Sequence, residues 1–191
     1  MQDAVKKFAI HNIEAVASKG AKILVASCPS CFHTWAHEYE ELTGCRPPFE
    51  ILHVSQYLAR LIEEGKIKLN PVNAKITYHD PCDLGRNSSI FEEPRKVIKS
   101  IPGIDFVELP MKELQANCCG GGGSAWAVPF KEERVFHGRF KARQIENTKA
   151  KLVIASCHNC RDQIMKSLRK EYNLDIQVKY LWELVADSLV L

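Results

Sequence analysis

Short apolar runs rich in branched residues alternate along this chain with longer amphipathic stretches. The runs at residues 22–27, 50–53, 75–79, 105–109, 151–156 and 175–179 are bounded by turn residues, which predicts strands. The stretches at 4–18, 56–64, 132–148 and 182–189 carry the helical pattern. Their alternation predicts an α/β fold with mostly parallel sheets flanked by helices. In such sheets ligands gather at the carboxyl ends of the strands. Cys28, Cys82 and Cys157 each follow a predicted strand directly.

The pattern also repeats. Ala21-Lys22-Ile23-Leu24-Val25-Ala26-Ser27-Cys28-Pro29-Ser30-Cys31 returns as Ala150-Lys151-Leu152-Val153-Ile154-Ala155-Ser156-Cys157-His158-Asn159-Cys160, with six of the eleven positions identical. Each copy is preceded by a helical stretch and followed by a helix, a short apolar run and another helix. Repeats of this length indicate a duplicated domain rather than a solenoid. Asn70-Pro71-Val72-Asn73 reads as the linker. Residues 1–69 are then the C-terminal part of a first repeat, and residues 70–191 a complete second one.

Composition narrows the function classes. The 191 residues suffice for one large domain or one and a half small ones, and a hydrophobic content of 46% allows an ordinary core. The net charge is only +3, with basic and acidic residues interleaved, which argues against nucleic acid. No run approaches 18 consecutive apolar residues, so no transmembrane segment is expected, and the N-terminus is amphipathic rather than a signal core. A cytoplasmic location follows as the expectation. In that compartment clustered cysteines favour metal or redox chemistry over structural disulfides.

The cysteines carry the chemistry. Cys82, Cys118-Cys119 and Cys157-x-x-Cys160 form the pattern C…CC…CxxC. Five thiols are one more than a tetrahedral zinc site takes, and one more than usually hold a cubane iron–sulfur cluster. A CxxC at a helix start lets two thiolates face one metal, and the helix N-terminus favours the thiolate. Neighbouring side chains in an extended segment point to opposite sides, so Cys118 and Cys119 suit separate atoms of a multi-iron group. Gly120 to Gly123 let the chain wrap closely around it. They are not a phosphate loop, because Ser124-Ala125 stands where that motif needs Lys and a hydroxyl residue.

Several other residues are candidates with bland alternatives. His79 reads as a strand-terminal residue that orients the next loop by hydrogen bonding, with metal ligation as the alternative. Arg86 is a candidate for an anionic substrate or for cluster sulfur, or a surface ion pair. His158, inside the CxxC, is a candidate proton donor or simply exposed. His33 and His37 share one helix face and read as surface or interface residues, and Cys45 as a spare thiol near Gly44. Trp126 and Phe130 read as core or interface aromatics.

The words His79-Asp80-Pro81-Cys82 and Asn117-Cys118-Cys119-Gly120-Gly121, with Cys157-x-x-Cys160, resemble the cysteine-rich CCG domain. That domain occurs in heterodisulfide reductase B and D subunits, in the glycolate oxidase iron–sulfur subunit and in related Fe–S oxidoreductases. The resemblance implies a noncubane [4Fe-4S] cluster held by Cys82, Cys118, Cys119, Cys157 and Cys160, serving electron transfer and disulfide reduction. It also implies partners: ferredoxin-like, flavoprotein or membrane cytochrome subunits, a disulfide or quinone substrate, and a place in the cytoplasm or at the inner membrane face through a partner. Cys28 and Cys31 are all that this chain has of a first motif. The departure reads as the C-terminal part of a longer gene product, or else a split subunit. A structural zinc-binding assembly module and a metal-free thiol–disulfide oxidoreductase are the alternatives.

Overall fold

The computed structural model describes residues 2–123 and 125–190; Ser124 lies outside the described residues. The first copy runs α1 (Gln2–Ala17), β1 (Ile23–Ala26), α2 (Pro29–His33), a π-helical turn (Thr34–Glu38), α3 (Tyr39–Thr43), β2 (Glu50–His53) and α4 (Val54–Glu63). The second runs β3 (Ala74–His79), α5 (Glu92–Lys99), β4 (Ile104–Phe106), α6 (Lys131–Thr148), β5 (Leu152–Ala155), α7 (His158–Asp162), another π-helical turn (Gln163–Leu168), α8 (Arg169–Glu171), β6 (Gln177–Tyr180) and α9 (Leu181–Ser188). The fold is α/β, as the alternation predicts.

The four strand pairs among the described residues are parallel. β1 and β2 form a two-stranded sheet, and the second copy forms a four-stranded sheet in the order β4-β3-β5-β6. Both faces of the larger sheet are covered. Ile76, Tyr78, Leu152 and Ile154 meet Val97 and Ile98 of α5, Leu181 and Leu184 of α9 and Ala59 of α4. On the other face Val153 and Ala155 meet Ala142 and Ile145 of α6 and Ile164 and Leu168 of the π-helical turn. This two-sided burial explains why β5 is apolar at every position rather than alternating.

The two copies share detail beyond their common sequence word. Each CxxC opens a short α-helix that widens into a π-helical turn. Each following strand ends in a capping residue whose N–H is accepted by a side chain three positions on: Gln56 Oε1 for His53 (3.0 Å) and Glu183 Oε2 for Tyr180 (2.8 Å). The first copy also packs on the second. Ala26 and Phe32 join Leu84 and Ile90, from the loop after Cys82, in one apolar group.

The predicted strand at 105–109 is shorter than its apolar run. β4 ends at Phe106, because Glu108 turns away to accept from Arg95 and Leu109 buries itself in the core on the α6 side. β6 begins two residues later than predicted, at Gln177, while exposed Asp175 pairs with Lys151. The π-helical turns have no counterpart in the apolar periodicity. No helix among the described residues is long and apolar enough to cross a membrane.

Candidate metal centre

Two neighbouring strands bring the cysteines together. His79, the last residue of β3, lies beside Ala155, the last residue of β5. The chain beyond each strand therefore leaves the sheet at the same level, carrying Cys82 on one side and Cys157 with Cys160 on the other. The segment before α6 returns Cys118 and Cys119 to the same place. All five thiols, with His79, line one cavity. Cys119, Cys157 and Cys160 are buried, Cys82 is half-buried and Cys118 is exposed, so the cavity opens on the Cys118 side.

The loop carrying Cys82 is fixed from below. Asp80 is buried and takes both terminal nitrogens of Arg95, at 2.8 and 2.9 Å, and also accepts from Glu113 N–H at 3.0 Å. Arg95 in turn reaches Glu108 at 2.7 Å and lies over the Tyr78 ring. Burial works against the Asp80 carboxylate, yet these donors hold its pKa below the ordinary value. Arg86 donates to Ala116 O at 2.8 Å and so ties the Cys82 loop to the approach of Cys118. Asp83 accepts from Asn87 (2.8 Å) and from Ser30, which sits between Cys28 and Cys31.

Close approach requires Gly120 and Gly121, whereas Gly122 and Gly123, expected to wrap as closely, face open space. A Cβ on Gly120, whose φ is +84°, would lie 2.3 Å from Arg134 O, and one on Gly121 would lie 2.6 Å from Gln163 Cβ. Arg134 and Gln163 hydrogen-bond each other (2.9 Å), closing α6 against the π-helical turn beside this loop. The loop's amides then point at sulfur. Gly120 N–H donates to Cys118 Sγ at 3.3 Å, and Gly121 N–H to Cys119 Sγ at 3.4 Å.

The electrostatics favour anionic sulfur at the centre. Hydrogen bonds from Cys118, Cys160 and His79 hold the Cys119 thiol well below its usual pKa, against its burial. Cys157 is lowered by its hydrogen bond from Cys160. Cys160 and Cys118, as the donors, are raised, and Cys82 is raised by burial. His79 is lowered by burial and then by the positive charge of Lys141. Its Nδ1 and the Lys141 Nζ are buried without a hydrogen-bond partner among the described residues.

His79 thus departs from its expected role. The loop is oriented by Asp80 and Arg95 instead, and His79 faces the thiols: a ring nitrogen and the sulfurs of Cys119 and Cys160 lie within 4.8 Å of one another. Arg86 lines the same cavity as the cysteines while its guanidinium holds Ala116 O. His158 is exposed outside the cavity lining, whereas Asn159 is part of it. Cys28 is half-buried and Cys31 exposed, and neither lines the cavity. His33 contacts Ser88 across the junction of the two copies (3.3 Å), and Cys45 is exposed. Trp126 is 38% exposed, with the Arg134 guanidinium over its ring.

Motif spacing alone does not single out Arg95, Lys141 or Gly138. For Lys141 a signal exists: it falls in register with Gly138, Ala142 and Ile145 on the buried face of α6. The donor set as a whole fits a soft, anionic, polynuclear group. Five thiols converge, backbone amides point at sulfur, side-chain bulk is excluded at Gly120 and Gly121, and two buried nitrogens lack partners.

Comparison with known proteins agrees with this chemistry. The family model for the CCG cysteine-rich domain matches residues 1–35 and 76–165. The D subunit of the dihydromethanophenazine:CoB–CoM heterodisulfide reductase of Methanosarcina barkeri is 37% identical over 190 residues, covering 99% of this chain and 46% of that protein. The B subunit of the CoM/CoB fumarate reductase of Methanothermobacter marburgensis is 37% identical over 170 residues, covering 88% of this chain and 33% of that protein. The EtfAB:quinone oxidoreductase of Syntrophomonas wolfei is 29% identical over 169 residues, covering 83% and 23%. The chain spans less than half the length of each of these relatives.

Proposed function

The chain belongs to the CCG cysteine-rich domain family, and on that premise we propose that it is an iron–sulfur oxidoreductase subunit of heterodisulfide-reductase type. Cys82, Cys118, Cys119, Cys157 and Cys160 hold a noncubane [4Fe-4S] cluster in this reading. The convergence of all five thiols on one cavity carries it. When bound, such a cluster supplies one-electron redox chemistry and a soft site for sulfur. The chain's own residues exclude water around Cys119, Cys157 and Cys160, direct two amides at sulfur, and leave the Cys118 side open.

Reduction of a disulfide consumes two electrons and two protons and releases two thiols. The electrons come from a partner redox subunit, ferredoxin-like, flavoprotein or membrane cytochrome; a quinone is the other substrate class. His158, exposed beside Cys157, is the candidate for proton delivery. Residues 1–69 are the C-terminal part of a first CCG copy and 70–191 the complete second. The shared strand, CxxC, π-helical turn, strand and helix order supports that division. Cys28 and Cys31 then bind metal only with thiols from elsewhere, because two thiolates alone do not hold a cluster.

One observation favours a second reading. His79, Cys119 and Cys160 are close enough for a single ion, as in a structural zinc module. Metal content of anaerobically purified protein separates the two. About four irons with matching sulfide, lost in Cys119→Ser and in Cys157→Ser, is the expected result. Stoichiometric zinc, without iron or an EPR signal after mild oxidation or dithionite, would overturn the cluster reading. A ligand set of five predicts that Cys82→Ser also lowers iron, whereas the zinc triad predicts no effect there.

A further inference from the structure

Lys141 is the most unusual charge in the molecule. It lies in the middle of α6, wholly buried, and its Nζ has no hydrogen-bond partner among the described residues. Burying an ammonium without a partner is costly, and proteins normally pair such a group or let it lose its proton. Its neighbours on the buried face, Gly138, Ala142 and Ile145, offer no acceptor side chain. The same face of α6 lies against the thiols: a Cβ on Gly138, three residues before Lys141, would lie 2.7 Å from Cys119 O. The attractions acting on the ammonium come from Asp80 and from Cys119, Cys160 and Cys118.

Asp80 is already engaged. Both its oxygens are taken by Arg95, and Oδ2 also by the Glu113 amide. That leaves the thiols, with the neutral His79 ring beside them, as the groups Lys141 faces, and of these only the thiols can carry a compensating negative charge. Without metal, only Cys119 and Cys157 are held toward the anion, by hydrogen bonds shared among the thiols, so they compensate the ammonium in part. As ligands of a shared metal group all the cysteines are thiolates, and the centre becomes the counter-charge that Lys141 lacks. A mononuclear centre of His79 and two thiolates would be about neutral with a divalent ion, so it would leave the ammonium uncompensated. A polythiolate cluster gains negative charge on each reduction and would not.

We propose that Lys141 is the buried counter-charge of the group held by the five cysteines, and that it sets the reduction potential of that group. The inference rests on the cluster reading above. Lys141 touches no substrate. It acts through the electrostatic potential at Cys119 and Cys160, where low-dielectric surroundings magnify a single charge. A fixed positive charge favours the reduced, more negative form.

The test uses the full chain with Lys141→Met, which keeps length and apolar stem but removes the charge, and Lys141→Arg, which keeps the charge. Iron in the wild type is measured first, since its absence overturns the cluster reading and this inference with it. With iron present, the Met variant is expected to shift the one-electron reduction equilibrium at least tenfold toward the oxidised form. That is about 59 mV lower in midpoint potential, read by EPR-monitored titration, with the Arg variant recovering most of the shift. The metal-free Met variant is expected to resist urea at least as well as the metal-free wild type, because a buried ammonium without a hydrogen-bond partner has been removed. A Met variant that folds as stably but retains less iron supports the same role. A midpoint unchanged within twofold in the equilibrium constant overturns the inference alone. So does a metal-free Met variant less stable than wild type, which would show that the amine ties the fold together.

Discussion

One eleven-residue word, written twice, meets two fates in this protein. In the second copy Leu152 to Ala155 form a central strand buried at every position, and Cys157 and Cys160 are 8% and 3% exposed. In the first copy the corresponding Ile23 and Val25 are 36% and 40% exposed, and Cys31 is at the surface. Local structure is the same in both: parallel strand, CxxC, short helix, π-helical turn. The difference is the neighbour. β5 lies between β3 and β6, whereas β1 pairs with β2 alone among the described residues. The local word makes a CxxC turn; only the flanking strands, which bring Cys82 and the Cys118-Cys119 loop, make a site of it.

If those flanking elements create the site, then the support beneath them is the most sensitive point. Arg95 joins β3 to the end of β4 through Asp80 and Glu108, and the Asp80 pair is almost wholly buried. Arg95→Met leaves Asp80 as a buried unpaired carboxylate, with an expected cost of about 3–5 kcal/mol. Urea denaturation measures it. The Cys82 loop should lose its orientation as well, so iron retention should fall in the same variant. A loss below about 1 kcal/mol would mean that Asp80 and its loop are held by something else. Breaking an exposed pair such as Arg60 with Glu50 in the first copy should leave the urea midpoint almost unchanged.

The next prediction tests whether the first copy is merely an appended fragment. His53, at the end of β2, is fully buried, and desolvation lowers its pKa to about 4 from an ordinary 6.5. The unfolded chain therefore binds the proton more readily. This contribution to stability is fully present above about pH 6.5 and is lost as pH falls toward 4. A shift of that size corresponds to about 3 kcal/mol across the window. His79 is shifted in the same direction, so the comparison must be with a variant. His53→Gln should be flatter than wild type between pH 6.5 and 4 in urea-midpoint measurements. Identical slopes would place His53 in solvent in solution, and the first copy would then be only loosely attached.

The legibility of the sequence follows the same division. Strands, helices and the α/β class are readable because their signals are local: branched runs, helical periodicity and turn residues. The five thiols are readable as a set because a vicinal pair and a CxxC are local patterns too. Arg95 is not, because its role exists only when α5 packs against β3 and β4 and brings the guanidinium to Asp80. His79 departs from expectation for the same reason: nothing adjacent in sequence tells a strand-end histidine whether it faces a loop or a cavity. The π-helical turns escape because a single extra residue per turn leaves the apolar spacing almost unchanged. Lys141 alone is marked locally, as a charge in apolar register on α6.

Glycines give the smallest effects and the finest comparison. Gly138, in the middle of α6, has helical backbone that alanine would ordinarily favour. A Cβ there would lie 2.5 Å from Leu168 Cδ2 and 2.7 Å from Cys119 O. Leu168 can shift but the Cys119 backbone cannot without moving the thiol, so Gly138→Ala should cost about 1–3 kcal/mol and reduce iron retention. Gly44 ends α3 in the first copy at φ +73°, with open space around its Cβ position. Gly44→Ala therefore incurs backbone strain only, about 1–2 kcal/mol, and should leave bound iron unchanged. The two variants separate crowding beside the site from conformational strain remote from it. Equal losses of stability and of iron in both would mean that global stability, rather than the approach of α6 to Cys119, governs whether the centre holds its metal.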